Sequence, residues 1–171
     1  MAGKLVQVAT NTVSSPVSSV TLTGIDSDDV YMVAYNNLTT DTDDRGISMR
    51  FTYGGVTQTI ASSIDTANKK FRTDTTFSNR SQTNVDYVRL DQFLGTGTSE
   101  TGQGIIYLYN MNSTTEYAFC TFEDVTYNYV PFLAGGQGGS VFKQTGTARD
   151  GVTFFQSSNF TAGTFTLYRV V

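Results

Sequence analysis

Two short acidic segments carry the carboxylates that are most closely grouped in this sequence, namely Asp26, Asp28 and Asp29 in the first and Asp41, Asp43 and Asp44 in the second. Clustered carboxylates on a loop can bind Ca²⁺, which prefers oxygen ligands. A pair about 5–10 Å apart in an aromatic cleft can hydrolyse a glycosidic bond. The second segment begins like an EF-hand loop, but Arg45 and Thr52 stand where an oxygen ligand and the closing glutamate belong. The EF-hand is therefore excluded, and whether either loop holds an ion stays open.

Most other catalytic side chains are missing from the sequence. The 171 residues include no histidine and one cysteine, Cys120. This excludes Ser-His-Asp and Cys-His catalysis, histidine-ligated metals and a cysteine zinc site. The segment Gly135–Gly139 lacks the Lys-Ser/Thr ending of a phosphate-binding loop. We expect no enzyme and no cofactor, we assign no catalytic or metal-binding residue, and we expect a buried, inert thiol at Cys120.

Composition narrows the class of partner. A chain of 171 residues predicts one domain, residues 1–171. The formal net charge of −4 argues against a nucleic-acid partner, because nucleic acids bind to basic protein surfaces. No apolar run approaches the ~18 residues of a membrane span, so we expect no membrane partner. Only 15% of the residues are charged, and a surface made of Thr, Ser, Asn and Gln is typical of strands and turns.

The elements that would position any site are predicted to be strands. The alternation of Ile47, Met49, Phe51 and Tyr53 with polar residues is the clearest strand pattern, and Gly54-Gly55 predicts a hairpin after it. Roughly nine to eleven short strands separated by turn residues predict an all-β, two-sheet antiparallel sandwich, most like a jelly roll, with immunoglobulin-like or barrel folds as alternatives.

Four segments are predicted to be less regular. Ala61–Thr83 is predicted to be a long loop with one helical turn, and Asn36–Arg45 a polar loop. The glycines of Gly135–Gly139 predict a break between strands. The C-terminal segment is predicted to form two strands with a turn around Ser157–Gly163, the last strand lying inside the sheet.

Aromatic residues outside the strand pattern are the candidate binding residues. Phe71, Phe77, Phe132 and Phe160 fall in predicted loops, and ring burial dominates contact energies at interfaces. Tyr127, Tyr129 and Phe132 cluster around Pro131. The predicted interface therefore consists of Phe71, Arg72, Phe77, Tyr127, Tyr129 and Phe132.

Three stretches resemble small structural proteins of tailed phages, particularly phages of marine bacteria. They are Ser19–Asp26 with Asp29–Val33, Phe71–Phe77 with Gly95–Glu100, and the ending Ser158–Tyr168. The resemblance implies a β-sandwich on the virion, either a capsid decoration (cement) protein or part of a tail or fibre. It implies no catalytic residues.

The resulting hypothesis is a decoration protein that binds the outer surface of the major capsid protein shell and stabilises it. Such proteins act as oligomers, so we expect a homo-dimer or homo-trimer, with Ala61–Thr83 and the N-terminal strand touching neighbours. The alternative is a tail-fibre or receptor-binding module that holds host glycans. A glycosidase that uses the loop carboxylates is a third hypothesis.

Overall fold

The computed structural model describes residues 3–90 and 93–171, and these residues form strands, turns and loops with no helix. None of the described segments is therefore a helix long and apolar enough to cross a membrane. The prediction of an all-β chain is confirmed. The strands are β1 (Leu5–Val13), β2 (Val17–Thr23), β3 (Tyr31–Thr40), β4 (Ser48–Tyr53), β5 (Val56–Thr57), β6 (Ile64–Arg72), β7 (Phe77–Val85), β8 (Val88–Arg89), β9 (Gly102–Tyr109), β10 (Ala118–Tyr127), β11 (Leu133–Phe142) and β12 (Gly151–Val170).

All strand pairs are antiparallel and belong to one hydrogen-bonded, curled sheet. The strand order is β5-β4-β12-β3-β9-β10-β11-β6-β7, with β1 and β2 pairing to β12 and β8 pairing to β4. The predicted separation into two sheets is not confirmed, because the ladder continues from β5 to β7 without a break.

Strand β12 organises the sheet. Its first half, from Gly151, pairs with β2 on one side and β4 on the other. Its second half pairs with β1 and β3. The predicted turn is wrong: Ser157–Gly163 stays within the strand as a series of register shifts. Side chains of neighbouring strands stabilise these shifts, as when Thr40 Oγ1 and Ser158 Oγ lie 2.7 Å apart.

The core lies beneath β12. The rings of Phe154 and Phe165 have centroids 4.9 Å apart, and Phe160 and Tyr35 pack on Phe165 at 5.5 and 5.9 Å. Each fully buried ring stabilises the fold by roughly 1.5–3 kcal/mol as an upper estimate. Phe160, predicted to be a loop residue, is completely buried in β12.

Ala61–Thr83 is not a loop. It contains β6 and most of β7, which pair along most of their length. The inward positions of β6 include Thr66 and Asn68, and β7 is exposed along most of both faces, so no apolar alternation marks either strand. The predicted loop 36–45 is also partly wrong, since β3 continues to Thr40. The apolar residues of Val85–Leu94 predict a strand, but this segment contains only the last residue of β7 and the two residues of β8, and Asp91 and Gln92 lie outside the described residues.

The glycine cluster lies inside β11 and is not a break. A Cβ atom on Gly135 would lie 2.5 Å from the Phe71 ring and from the Asp124 carbonyl oxygen. A Cβ atom on Gly138 would lie 2.5 Å from the Ala67 carbonyl oxygen. Glycine is required at these two positions by close packing, not by a turn.

Candidate functional site

The first acidic segment is bound to the fold by its own neighbours. Asp26 accepts a hydrogen bond from the Tyr31 hydroxyl at 3.1 Å. Asp29 accepts one from Ser27 at 2.8 Å and lies 2.6 Å from Arg169 Nε. These contacts join the turn to β3 and β12.

The second acidic segment makes a reciprocal contact with the irregular part of β12. Asp41 accepts hydrogen bonds from the Asn159 amide side chain at 2.7 Å and from its backbone N–H at 3.1 Å. These bonds lower the pKa of the Asp41 carboxyl below its ordinary value. Asp43 accepts a hydrogen bond from the Thr96 backbone at 2.8 Å. Within residues 3–90 and 93–171, no three Asp, Glu, Cys or His side chains group as a metal site.

Cys120 is buried on the inner face of β10. Burial raises the pKa of its thiol to about 12, which outweighs the hydrogen bonds with Ser140 that favour the thiolate. A thiol with this pKa is neutral at physiological pH and is a poor nucleophile.

The two turns that carry the predicted interface residues lie side by side. Strand β11 pairs with β6 so that Gly135 lies opposite Phe71, and β6 pairs with β7 so that Phe71 lies opposite Phe77. The Thr73 N–H donates to the Leu133 carbonyl at 3.0 Å, which joins the β6–β7 turn to the end of the β10–β11 loop. All six predicted residues therefore meet at one end of the sheet.

We call this end of the sheet the aromatic tip. It contains the six predicted residues and two that the sequence analysis missed, and its members are Phe71, Arg72, Phe77, Tyr127, Tyr129, Val130, Phe132 and Leu133. The missed residues, Val130 and Leu133, flank Pro131 and Phe132 directly, and this apolar run around Pro131 was the available signal.

The β10–β11 loop is ordered by its own backbone. The Asn128 N–H donates to the Phe132 carbonyl at 3.0 Å, and the Phe132 N–H donates to the Val130 carbonyl at 2.6 Å. The buried Asn128 side chain accepts a hydrogen bond from the Val130 N–H at 3.2 Å. These bonds hold the aromatic side chains in place before any partner binds, which lowers the entropy cost of binding.

Arg72 positions the ring of Phe132. Its guanidinium carbon lies 3.9 Å from the ring centroid, and its Nη2 lies 2.8 Å from the Asp74 carboxylate. The charge of Arg72 is thus balanced by Asp74 in the adjoining β6–β7 turn, and its planar group supports the ring by a cation–π contact.

The tip exposes an unusual amount of apolar surface. Phe77 is 69% exposed, and Tyr127, Tyr129, Val130 and Leu133 are each between 41% and 45% exposed. Phe71 and Phe132 are half-buried beneath them. Contiguous exposed apolar groups mark interaction surfaces in soluble proteins. No nucleophile–base pair lies among the eight tip residues, so the arrangement is suited to binding.

Comparisons with known proteins do not assign this chain to a family. No protein-family model matches the chain. No curated protein matches it. Among solved structures, one match is the CBM2 module of the evolved Dit of Lactobacillus casei BL23 phage J-1, at 11% identity over 89% of this chain and 68% of that chain. The TM-score of 0.25 is too low to define a shared fold.

Proposed function

We propose that this protein is a capsid decoration protein of a phage and binds the outer surface of the major capsid protein shell through the aromatic tip. The observation that supports a binding role is that Phe77, Tyr127, Tyr129, Val130 and Leu133 are all exposed at one end of the sheet. The resemblance of three sequence stretches to phage structural proteins supports the assignment to a virion. We expect the chain to act by binding, because it has no histidine, its one thiol is buried, and the loop carboxylates of Asp29 and Asp41 are held by Arg169 and Asn159.

The tip has the composition of a binding hot spot. Hot spots are enriched in tyrosine and arginine and are small compared with the ~800 Å² that each partner buries in a standard interface. A copy seated between two capsid subunits would bury part of its surface on each and oppose their separation. Repetition over the shell then makes weak single contacts effective together.

The free sheet edge formed by β1 and β2 supports self-association. These strands pair only with β12 among the strands of the described residues, and their 9 and 7 residues include no charged side chain. Edge strands without charges are prone to pair with another chain. We expect a homo-dimer or homo-trimer, to be measured by light scattering of the purified protein across a concentration series.

Cryo-electron microscopy of the intact virion tests the location. The proposal expects hundreds of copies on the outer shell, with the aromatic tip against the major capsid protein. A location only at the tail, in tens of copies or fewer, would overturn the capsid assignment and favour the tail-fibre or receptor-binding alternative.

A further inference from the structure

The outward face of the sheet between β9 and β7 carries a second candidate surface, which adjoins the aromatic tip because Lys69 and Phe71 are alternate residues of β6 and face the same side. Along β9, Ile106 and Leu108 are buried while Ile105 and Tyr107 are exposed. Along β10, Phe122 is buried and Glu123 is exposed. The strands therefore turn one set of side chains to the core and the other to an open face.

This face contains a groove of about 1190 Å³. Strand register places Glu123 opposite Gln137, Gln137 opposite Lys69, and Lys69 opposite Asn79. The four side chains thus form a polar row that crosses four strands, a length of roughly 14 Å at 4.7–4.9 Å per strand.

The next row of side chains in the groove is short at its centre and aromatic at one end. Tyr107 lies opposite Thr121, and Ala67 lies opposite Ser81. The groove therefore has a floor of short side chains beside the polar row, and Tyr107 and Tyr109 line its β9 end.

The chemistry of the lining selects a particular class of ligand. Gln137 and Asn79 offer both donors and acceptors, Glu123 accepts, and Lys69 donates. The charged residues of the lining are Lys69, Arg80 and Glu123, a net charge of +1 that is too small to select a polyanion. Of these, Lys69 and Glu123 lie in the polar row and balance each other, whereas Arg80 lies opposite the buried Asn68. Tyrosine rings present an apolar face together with a hydroxyl group. A ligand with many hydroxyl groups, little charge and flat apolar faces satisfies all three conditions.

An extended peptide fits this groove less well. The backbone groups of β10, β11 and β6 are engaged with neighbouring strands on both sides. The outer edge of β7 is free among the described strands, but it runs along the strand direction and not along the polar row. A peptide that lies across the row would therefore find no edge for its own N–H and C=O groups, which strand addition requires. Sugar hydroxyls need only the side chains of the polar row.

We propose that the groove binds a neutral oligosaccharide across β9, β10, β11, β6 and β7, with sugar rings against Tyr107 and hydroxyl groups on the row from Glu123 to Asn79. This activity goes beyond particle binding and does not depend on the aromatic tip.

The test is titration of the purified protein with soluble hexasaccharides of glucose, mannose and N-acetylglucosamine, after an array of neutral glycans has been screened. Isothermal titration calorimetry measures the binding, because its signal does not depend on the tyrosine that a variant removes. At least one neutral glycan is expected to bind. Tyr107→Ala should weaken that binding at least about tenfold, because it removes a ring contact. Ala67→Phe should abolish it by filling the floor.

Tyr127→Ala is the matched control, since it removes an equally exposed tyrosine from the same strand system at the tip. Tyr127→Ala should bind the glycan as tightly as the wild type does. The role of the aromatic tip is tested in a separate experiment, by binding to phage particles. Absence of binding to every neutral glycan, binding only to acidic glycans, or equal loss in Tyr107→Ala and Tyr127→Ala would each overturn the proposal. None of these results bears on attachment through the tip.

Discussion

Arg149 is completely buried and is held by backbone carbonyl groups. Its guanidinium donates to the carbonyls of Ser113 at 2.5 Å, Glu116 at 3.1 Å and Asn110 at 3.4 Å, and also to that of Gln144. One side chain therefore satisfies carbonyl groups in the β9–β10 connection and in the segment that follows β11. Carbonyls left buried without a donor destabilise a fold.

Replacing Arg149 should be among the most destabilising substitutions in the chain. We expect Arg149→Met to lower the free energy of unfolding by about 3–5 kcal/mol, because the buried carbonyls lose their shared donor. Urea unfolding followed by circular dichroism measures the change. Arg169→Met, which removes a half-exposed ion pair with Asp29, is the control and should cost less than about 1 kcal/mol. Equal costs would contradict the role of Arg149.

The buried thiol of Cys120 predicts a loss of stability in alkali. Because its pKa is raised from 9.0 to about 12 in the folded protein, the unfolded chain loses this proton first as pH rises. The contribution is complete below pH 9 and is lost progressively between pH 9 and 12, by up to about 1.4 kcal/mol per pH unit. Unfolding in urea at pH 7.5, 9 and 10 should show a steeper decline for the wild type than for Cys120→Ala. Parallel declines would show that Cys120 does not titrate in this way.

At the scale of the strand, β12 depends on Gly163. This residue has a φ of 119°, and a Cβ atom there would lie 2.3 Å from Leu38 Cδ2 and 2.9 Å from the Asn36 carbonyl oxygen. Gly146 also has a positive φ, 90°, but a Cβ atom there would have no neighbour within 4 Å. A comparison of the two positions therefore separates the effect of backbone strain, which both share, from the effect of steric overlap, which occurs only at Gly163.

We expect Gly146→Ala to destabilise the protein by about 1 kcal/mol, through backbone strain alone. Gly163→Ala should cost at least about 2 kcal/mol more, because β3 must move away from β12 as well. Thermal unfolding of the two variants measures the difference. Similar melting temperatures would show that the register shift in β12 tolerates a side chain.

Strands with an apolar alternation could be predicted from the sequence, and strands without one could not. β4 was predicted from Met49 and Phe51, which are both buried. β6 escaped prediction because Asn68 takes a core position, where it donates to the Arg89 carbonyl at 3.3 Å. In β11, glycines that read as a break are instead required by the rings and carbonyls packed on them.

The sequence analysis named six of the eight tip residues as candidates, but no local pattern could show that they lie close together in the fold. Phe71 and Phe132 are 61 positions apart in the numbering and come together only because β11 pairs with β6. No local sequence pattern predicts that pairing. The alternation of apolar and polar residues along a strand shows which face of the strand is buried, but it does not show which other strand lies beside it. The groove depends on the same non-local register, and the sequence analysis did not predict it.

On the scale of the whole molecule, the first and last strands pair with each other, with Leu5 opposite Val170. The tip projects from the far region of the sheet, where β11, β6 and β7 end its order. Changes at the tip should therefore leave the core intact. We expect Phe77→Ser with Tyr129→Ser to keep the wild-type melting temperature, since both side chains are exposed.

The most direct test is binding of the purified protein to phage particles that lack it, measured for the wild type, for the double variant Phe77→Ser/Tyr129→Ser and for Val56→Ser. Val56 is 65% exposed at the β4–β5 hairpin and serves as an apolar control away from the tip. We expect saturable binding for the wild type and Val56→Ser, and binding at least about thirtyfold weaker for the double variant, since each hot-spot residue contributes about 2 kcal/mol or more. If the folded double variant binds particles as tightly as the wild type, the aromatic tip is not the surface that attaches this protein.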